Sequence, residues 1–382
     1  MATTSQTFPS SPFMRAFAAG VTSGIPTCII GEPGQGKTAS MEASTKNWGR
    51  HVETIIGSNR ESTDFLGVMV DGKDGVGYAP FSWVKRLNAS KKSLLLLDEF
   101  NTSAPTTMKA MLRVVQERYV GDQKLNDGVS IVALMNPVET AVDAYDLPAP
   151  MANRMMHLDW VFDRQNWLDN VGTGFDNVNL PPLESLLGAD PVVRKAIVSG
   201  AVTAFLRARP NLLDPKVPTD PTKAGAAWPS PRSWTNAIEV LSQLDALDDE
   251  AAYLVVAGCV GEGAAVEYFK WILEQDLHDP LEVLDRPDGL VDWANERSDR
   301  LFALLNAVAA LGLTKPELWK KATIVMAACA DGSGVGRGKP DAALPGAQKL
   351  LNNRPAGFKA FDARVQAAFA DLLSKTHYSI SV

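Results

Sequence analysis

Ile25-Pro-Thr-Cys-Ile-Ile-Gly31-Glu32-Pro33-Gly34-Gln35-Gly36-Lys37-Thr38-Ala39 is the stretch from which the rest of the chain is read. Gly31, Gly36, Lys37 and Thr38 fill every fixed position of the pattern G-x-x-x-x-G-K-[ST]. The glycines allow successive backbone N–H groups to converge on a phosphate, forming an anion nest that a Cβ would obstruct. Lys37 supplies a point charge between β- and γ-phosphates, and the Thr38 hydroxyl is a hard ligand for Mg²⁺. Before the motif, Ile25 to Ile30 is a short β-branched run that reads as a buried parallel strand. After it, Thr38, Ala39, Met41, Glu42 and Ala43 read as a helix whose N-terminus faces the phosphates. Strand, glycine loop and helix in that order imply a nucleoside triphosphate site with residues 31–39 lining it. Lys37 is expected to face solvent, so that removing it costs phosphate affinity and not packing.

At 382 residues the chain can hold two or three domains with a sizeable core. Its 46% hydrophobic and 21% charged residues are an ordinary globular composition. A formal net charge of −7 argues against a general nucleic-acid coat, though not against a local basic patch. Cys28, Cys259 and Cys329 lie far apart with no C-x-x-C spacing, so buried free thiols in a reducing compartment are expected. No apolar run reaches the ~20 residues needed to span a bilayer, and residues near the start carry no signal-peptide pattern. A cytoplasmic protein with no membrane partner is expected.

Residues 1–11 are rich in Thr, Ser and Pro and are expected to be disordered. Phe13, Phe17 and Val21 fall at helical spacing. Strands are expected at His51–Ile56, Ser93–Asp98, Tyr119–Leu125, Val129–Met135 and Met155–Trp160. Between Tyr119–Leu125 and Val129–Met135 stands Asn126-Asp127-Gly128, a turn signal. Helices are expected over Trp83–Leu87 and Ala104–Glu117. Gly57–Pro80 is too long for an ordinary connection. The first 160 or so residues therefore alternate strand and helix, which implies an α/β domain with a parallel sheet. Beyond Phe162 the strand signals fade. Val193, Ile197, Ala201 and Phe205 mark a helix, and Ser230 and Pro231 provide an N-cap and first turn for another. Leu254–Val260 and Ala264–Leu277 continue as helices around a break at Gly261 and Gly263.

Leu94 to Leu97 followed by Asp98 and Glu99 reads as a strand that ends in two carboxylates. Asp98 suits the Mg²⁺ shell, and Glu99 suits orienting and polarising an attacking water. Val129 to Met135 delivers Asn136 to the carboxyl edge of the sheet, where ligands bind in open α/β folds. There Asn136 can hold the water or touch the γ-phosphate.

These motifs stand in the order found in AAA+ ATPases, together with Asn153-Arg154 and Pro229-Ser-Pro-Arg232. Within that superfamily the chain resembles MoxR-type and dynein-related, McrB-like members over about residues 20–245. Ser62-Thr-Asp64-Phe-Leu66-Gly67 is similar to their helix-2 insert. Gln116-Glu-Arg-Tyr119 leading into Asn126-Asp127-Gly128 is similar to the hairpin before the sensor strand, and Ser230-Pro231-Arg232 to the sensor-2 helix. The resemblance implies a P-loop core over 12–165, a helical lid over 166–280 and a helical extension over 281–382. It implies ATP and Mg²⁺ as cofactors and a ring, expected to be a hexamer. It gives Arg154 the role of an arginine finger on a neighbour's γ-phosphate, and Arg232 that of a sensor touching the γ-phosphate of its own subunit. The function implied is ATP-driven remodelling of a client protein, often with a separate von Willebrand A-type partner. A nucleic-acid motor or clamp-loader-like switch is the alternative. Lys73 and Tyr78 in the insert are candidates for gripping a client. Gly332 to Lys339 superficially resembles a second phosphate loop but lacks G-K-[ST], and reads as a plain loop.

Overall fold

The structure, a computed structural model, describes residues 11–72, 75–141, 144–175, 178, 180–334, 338–356, 358 and 361–370. Residues 1–10 of the expected disordered segment, Lys73, and Val335-Gly336-Arg337 of the glycine-rich loop lie outside them. By packing, the chain divides into two units, Met1–Ala189 with Asp214–Ala265, and Asp190–Leu213 with Val266–Val382.

The strands are β1 Thr27–Ile30, β2 His51–Ile56, β3 Val68–Gly72, β4 Gly75–Ala79, β5 Ser93–Asp98, β6 Tyr119–Val120, β7 Gln123–Lys124, β8 Val129–Met135 and β9 Met156–Asp159. Five of them form the sheet of the first unit, in the order β2-β5-β8-β1-β9 and parallel throughout. Leu94–Leu97 and every residue of β8 are buried, as continuous apolar runs require when both faces of a parallel sheet are covered. Each such leucine contributes about 1.5–3 kcal/mol on leaving water. Helices α1 Pro12–Ser23, α2 Lys37–Asn47, α3 Ser82–Ala89 and α4 Pro105–Glu117 surround the sheet. Ser11 caps α1, its hydroxyl accepting from the Met14 amide at 3.2 Å.

Two connections differ from expectation. Asn126–Gly128 does not join paired strands. The hairpin before β8 is β6–β7, turning at Gly121-Asp122, and β8 enters the parallel sheet instead. Gly121 takes φ 58°, the left-handed conformation that such a tight turn needs. The long Gly57–Pro80 stretch folds as a turn of helix, Thr63–Leu66, and the antiparallel hairpin β3–β4.

Helices α5 Pro191–Ala208, α6 Pro231–Leu241, α7 Asp249–Val260 and α8 Glu262–Gln275 follow. Gly261, at φ 86°, makes the break between α7 and α8, and Gly263 lies inside α8. Helices α6 and α7 belong to the first unit. Arg15 of α1 holds Asp248, the N-cap of α7, with two hydrogen bonds of 2.5 and 2.9 Å. The second unit is helical among its described residues. Its core joins α5 to α9 Ser298–Gly312, α10 Pro316–Asp331 and α11 Pro340–Asn352 around Trp293, Trp319 and Leu301. All three cysteines are free and buried.

Candidate nucleotide site

Gly31 follows β1 directly, and its amide donates to the Met135 carbonyl at 3.2 Å, joining the start of the loop to the end of β8. Gly34 and Gly36 have φ of 78° and 77°, and a Cβ built on either would meet no atom within 4 Å. Backbone conformation therefore demands glycine here. Helix α2 starts at Lys37 with no side chain capping its first amides. Those amides are free donors for an anion.

Lys37 is buried, at 7% exposure, and does not face solvent as the sequence suggested. Its ammonium group donates to the Gly31 carbonyl, to the Glu32 carbonyl at 2.8 Å and to Asn136 Oδ1 at 3.2 Å. Three acceptors for three N–H bonds fold the chain of the lysine back onto its own loop. Burial pushes its pKa down, while Asp98 and Glu32 oppose the shift. Glu32 is tied in turn to Thr140, whose hydroxyl donates to both carboxylate oxygens at 3.0 and 2.9 Å.

The Thr38 hydroxyl donates to Asp98 Oδ2 at 2.8 Å. A hydroxyl and a carboxylate so close form a hard-oxygen pair of the kind that holds Mg²⁺ beside phosphate oxygens. The uncapped amides of α2 and this donor set fit ATP with Mg²⁺. Glu99 takes φ 52°, a left-handed conformation unusual outside glycine. Its carboxylate accepts from Ser58 Oγ at the end of β2, and its backbone carbonyl accepts from Ser103 Oγ at 2.9 Å. Asn136 is fixed by a reciprocal amide pair: its amide donates to Asn101 Oδ1 at 3.1 Å, and Asn101 Nδ2 donates to its carbonyl at 2.8 Å.

Arg154 lies elsewhere. It precedes β9, and β9 pairs with β1 from Thr27↔Met156 to Ile30↔Asp159. The loop leaves β1 after Ile30, so Arg154 sits at the opposite edge of the sheet, about 10 Å of strand away. Its guanidinium donates to the Pro150 carbonyl and, among the described residues, pairs with neither Asp159 nor Asp163. Arg232, in the first turn of α6, is exposed. Burial and then the Arg232 charge push the Arg154 pKa below its ordinary value. The charges acting on Lys37 are those of Asp98 and Glu32.

Residues 26–155 match the sequence profile of the AAA domain, dynein-related subfamily. The first unit of this protein carries an AAA domain of the dynein-related subfamily. No curated protein matches the chain. Among solved structures, a protein from Cytophaga hutchinsonii provisionally described as an ATPase aligns at 18% identity and TM-score 0.42, over 68% of this chain and 86% of its own. A full-length MCM homolog from Methanopyrus kandleri aligns at 14% identity and TM-score 0.36, over 66% and 56%. Among the described residues no helix is long and apolar enough to cross a membrane.

Within the AAA domain, sequence reasoning had not singled out Ser58, Asn101 or Thr140. Ser58 follows the apolar end of β2, and Asn101 follows the paired carboxylates. Each becomes informative only once β2 and β8 are known to flank β5.

Proposed function

We propose that the protein hydrolyses ATP at subunit interfaces of a ring, hexameric by analogy with its family, and uses the cycle to remodel or activate a client protein. The observation that carries this reading is the split site. Lys37, Thr38, Asp98, Glu99 and Asn136 gather at one edge of the sheet, while Arg154 precedes β9 at the other and, among the described residues, has no carboxylate partner. On this reading a neighbour facing the pocket edge to edge supplies the arginine finger.

Lys37 leaves the Gly31 and Glu32 carbonyls for the β- and γ-phosphates. Thr38 and Asp98 would hold Mg²⁺, which when bound neutralises developing phosphate charge. Glu99 accepts a proton from, or orients, the attacking water, and Asn136 holds that water in line. Arg154 stabilises charge on the transferred group from across the interface. The β3–β4 hairpin supports a client-facing role, since Met69 and Val76 are 63% and 68% exposed. A von Willebrand A-type partner would be a separate chain.

Two measurements test this. The ATPase rate per subunit should rise with protein concentration as rings assemble. Arg154→Ala and Lys37→Ala proteins, each inactive alone, should recover activity when mixed, because one supplies the pocket and the other the arginine. A concentration-independent rate with no recovery would point to a self-sufficient monomer.

A further inference from the structure

The ladder between β5 and β8 ends at Leu97↔Ala133, and the chain after β5 turns away at Glu99 with its left-handed φ of 52°. Beyond that point Asn136 meets a side chain in place of a strand. Asn101 Oδ1 accepts from the Asn136 amide at 3.1 Å, and Asn101 Nδ2 donates to the Asn136 carbonyl at 2.8 Å. A planar carboxamide offers a donor and an acceptor side by side, as a peptide unit does in a ladder. Asn101 is fully buried, and its own carbonyl accepts from the Tyr145 amide at 2.9 Å. It stands two residues after Glu99, in the helical turn Phe100–Thr102. The Thr102 and Ser103 hydroxyls close that turn onto the Glu99 carbonyl at 3.2 and 2.9 Å. On the other side, Asn136 Oδ1 accepts from Lys37. One buried amide therefore joins the backbone of Asn136 to the short, tightly bonded segment that begins at Glu99. We propose that Asn101 is a positioning residue for ATP hydrolysis, setting the spacing between Glu99 and Asn136 so that a water held by both lies in line with the γ-phosphate. This rests on the ATPase reading above and adds to it a residue that acts only through its neighbours.

Asn101→Asp tests this through pH. Ionised, the new carboxylate has no proton to give the Asn136 carbonyl, and oxygen faces oxygen. Protonated, it regains one donor beside one acceptor in nearly the parental shape. Burial against a carbonyl favours that protonated form and raises the pKa of the introduced group. At about pH 8.5, single-turnover ATP hydrolysis should fall about 10²-fold, the cost of misplacing a reacting group by about 1 Å, with ATP affinity within about twofold of the parent. The ratio of variant to parent rate should then climb about tenfold or more on going down to about pH 6. Lys37, Asp98 and Glu99 are common to both proteins, so their contributions divide out of the ratio. Asn101→Ala carries neither donor nor acceptor, and should show the low rate with a flat ratio. A melting curve at each pH establishes that the protein measured is folded. If Asn101→Asp unfolds at the higher pH, the comparison moves to about pH 6, where it should exceed Asn101→Ala about tenfold. A flat ratio in Asn101→Asp, equal rates for the two variants at the lower pH, or a parental rate in Asn101→Ala would each overturn the positioning role. So would a loss of ATP affinity as large as the loss of rate. Glu99→Gln, measured alongside, separates the two levels. Parental turnover there removes the role of Glu99 and this proposal with it; slow turnover leaves Asn101 to be judged by its own ratio.

Discussion

Glu99 combines a left-handed backbone with a carboxylate held by Ser58. A non-glycine residue in that region costs on the order of 1–2 kcal/mol, which the surrounding bonds must offset. Ser103 and Thr102 both donate to its carbonyl, and Asp98 Oδ1 accepts from its amide at 2.9 Å. The carboxylate is therefore positioned by its backbone as much as by its rotamer. Glu99→Gln keeps this shape and removes the basic oxygen. We expect ATP to bind with parental affinity while single-turnover hydrolysis falls about 10²–10⁴-fold. Turnover at the parental rate would remove Glu99 from the catalytic role. The buried Lys37 teaches a related lesson: a lysine in a phosphate loop need not wait in solvent when loop carbonyls can take its protons.

Helix α6 is the element whose local chemistry and tertiary role coincide. Ser230 accepts from the Ser233 amide at 3.1 Å while Ser233 Oγ accepts from the Ser230 amide at 2.9 Å, a reciprocal cap with Pro231 at the first helical position. The cap was legible in Ser230-Pro231. Its second bond, to Asn153, was not, because 77 residues separate the partners. Ser230→Ala loses both the cap and the hydrogen bond of its hydroxyl to Asn153, leaving a buried amide oxygen without a partner among the described residues. Urea unfolding should show a loss of about 2–3 kcal/mol. A change below ~0.5 kcal/mol would mean that α6 is held by apolar packing of Trp234 and Ala237 alone.

At the scale of the whole molecule, the net charge of −7 bears on the rival reading as a nucleic-acid motor. A general polyanion-binding surface would lower affinity steeply with salt through counterion release. Duplex DNA at about 0.1 M salt is expected to leave the ATPase rate unchanged. DNA-stimulated turnover with a steep salt dependence would favour the rival. The division into packed units also appears only at this scale. Helix α5 precedes α6 in the chain yet packs in the second unit against α9, where Gly200 lies so close to Ala303 and Ala307 that a Cβ would stand 2.7 Å from the Ala303 carbonyl.

The sequence by itself determined the local elements of the AAA domain. Gly31 to Thr38, Leu94 to Glu99 and Val129 to Asn136 announce themselves because each rests on short-range physics: backbone freedom at glycine, continuous apolar burial, and a polar residue at a strand end. Tertiary structure alone decided which groups meet. It paired Asn101 with Asn136, gave Ser58 to Glu99, buried Lys37 and fastened α6 to the segment that carries Arg154. Those contacts depend on strand order and on where α6 is fastened, and both are fixed by the packing of residues far apart in the chain, which no local pattern encodes.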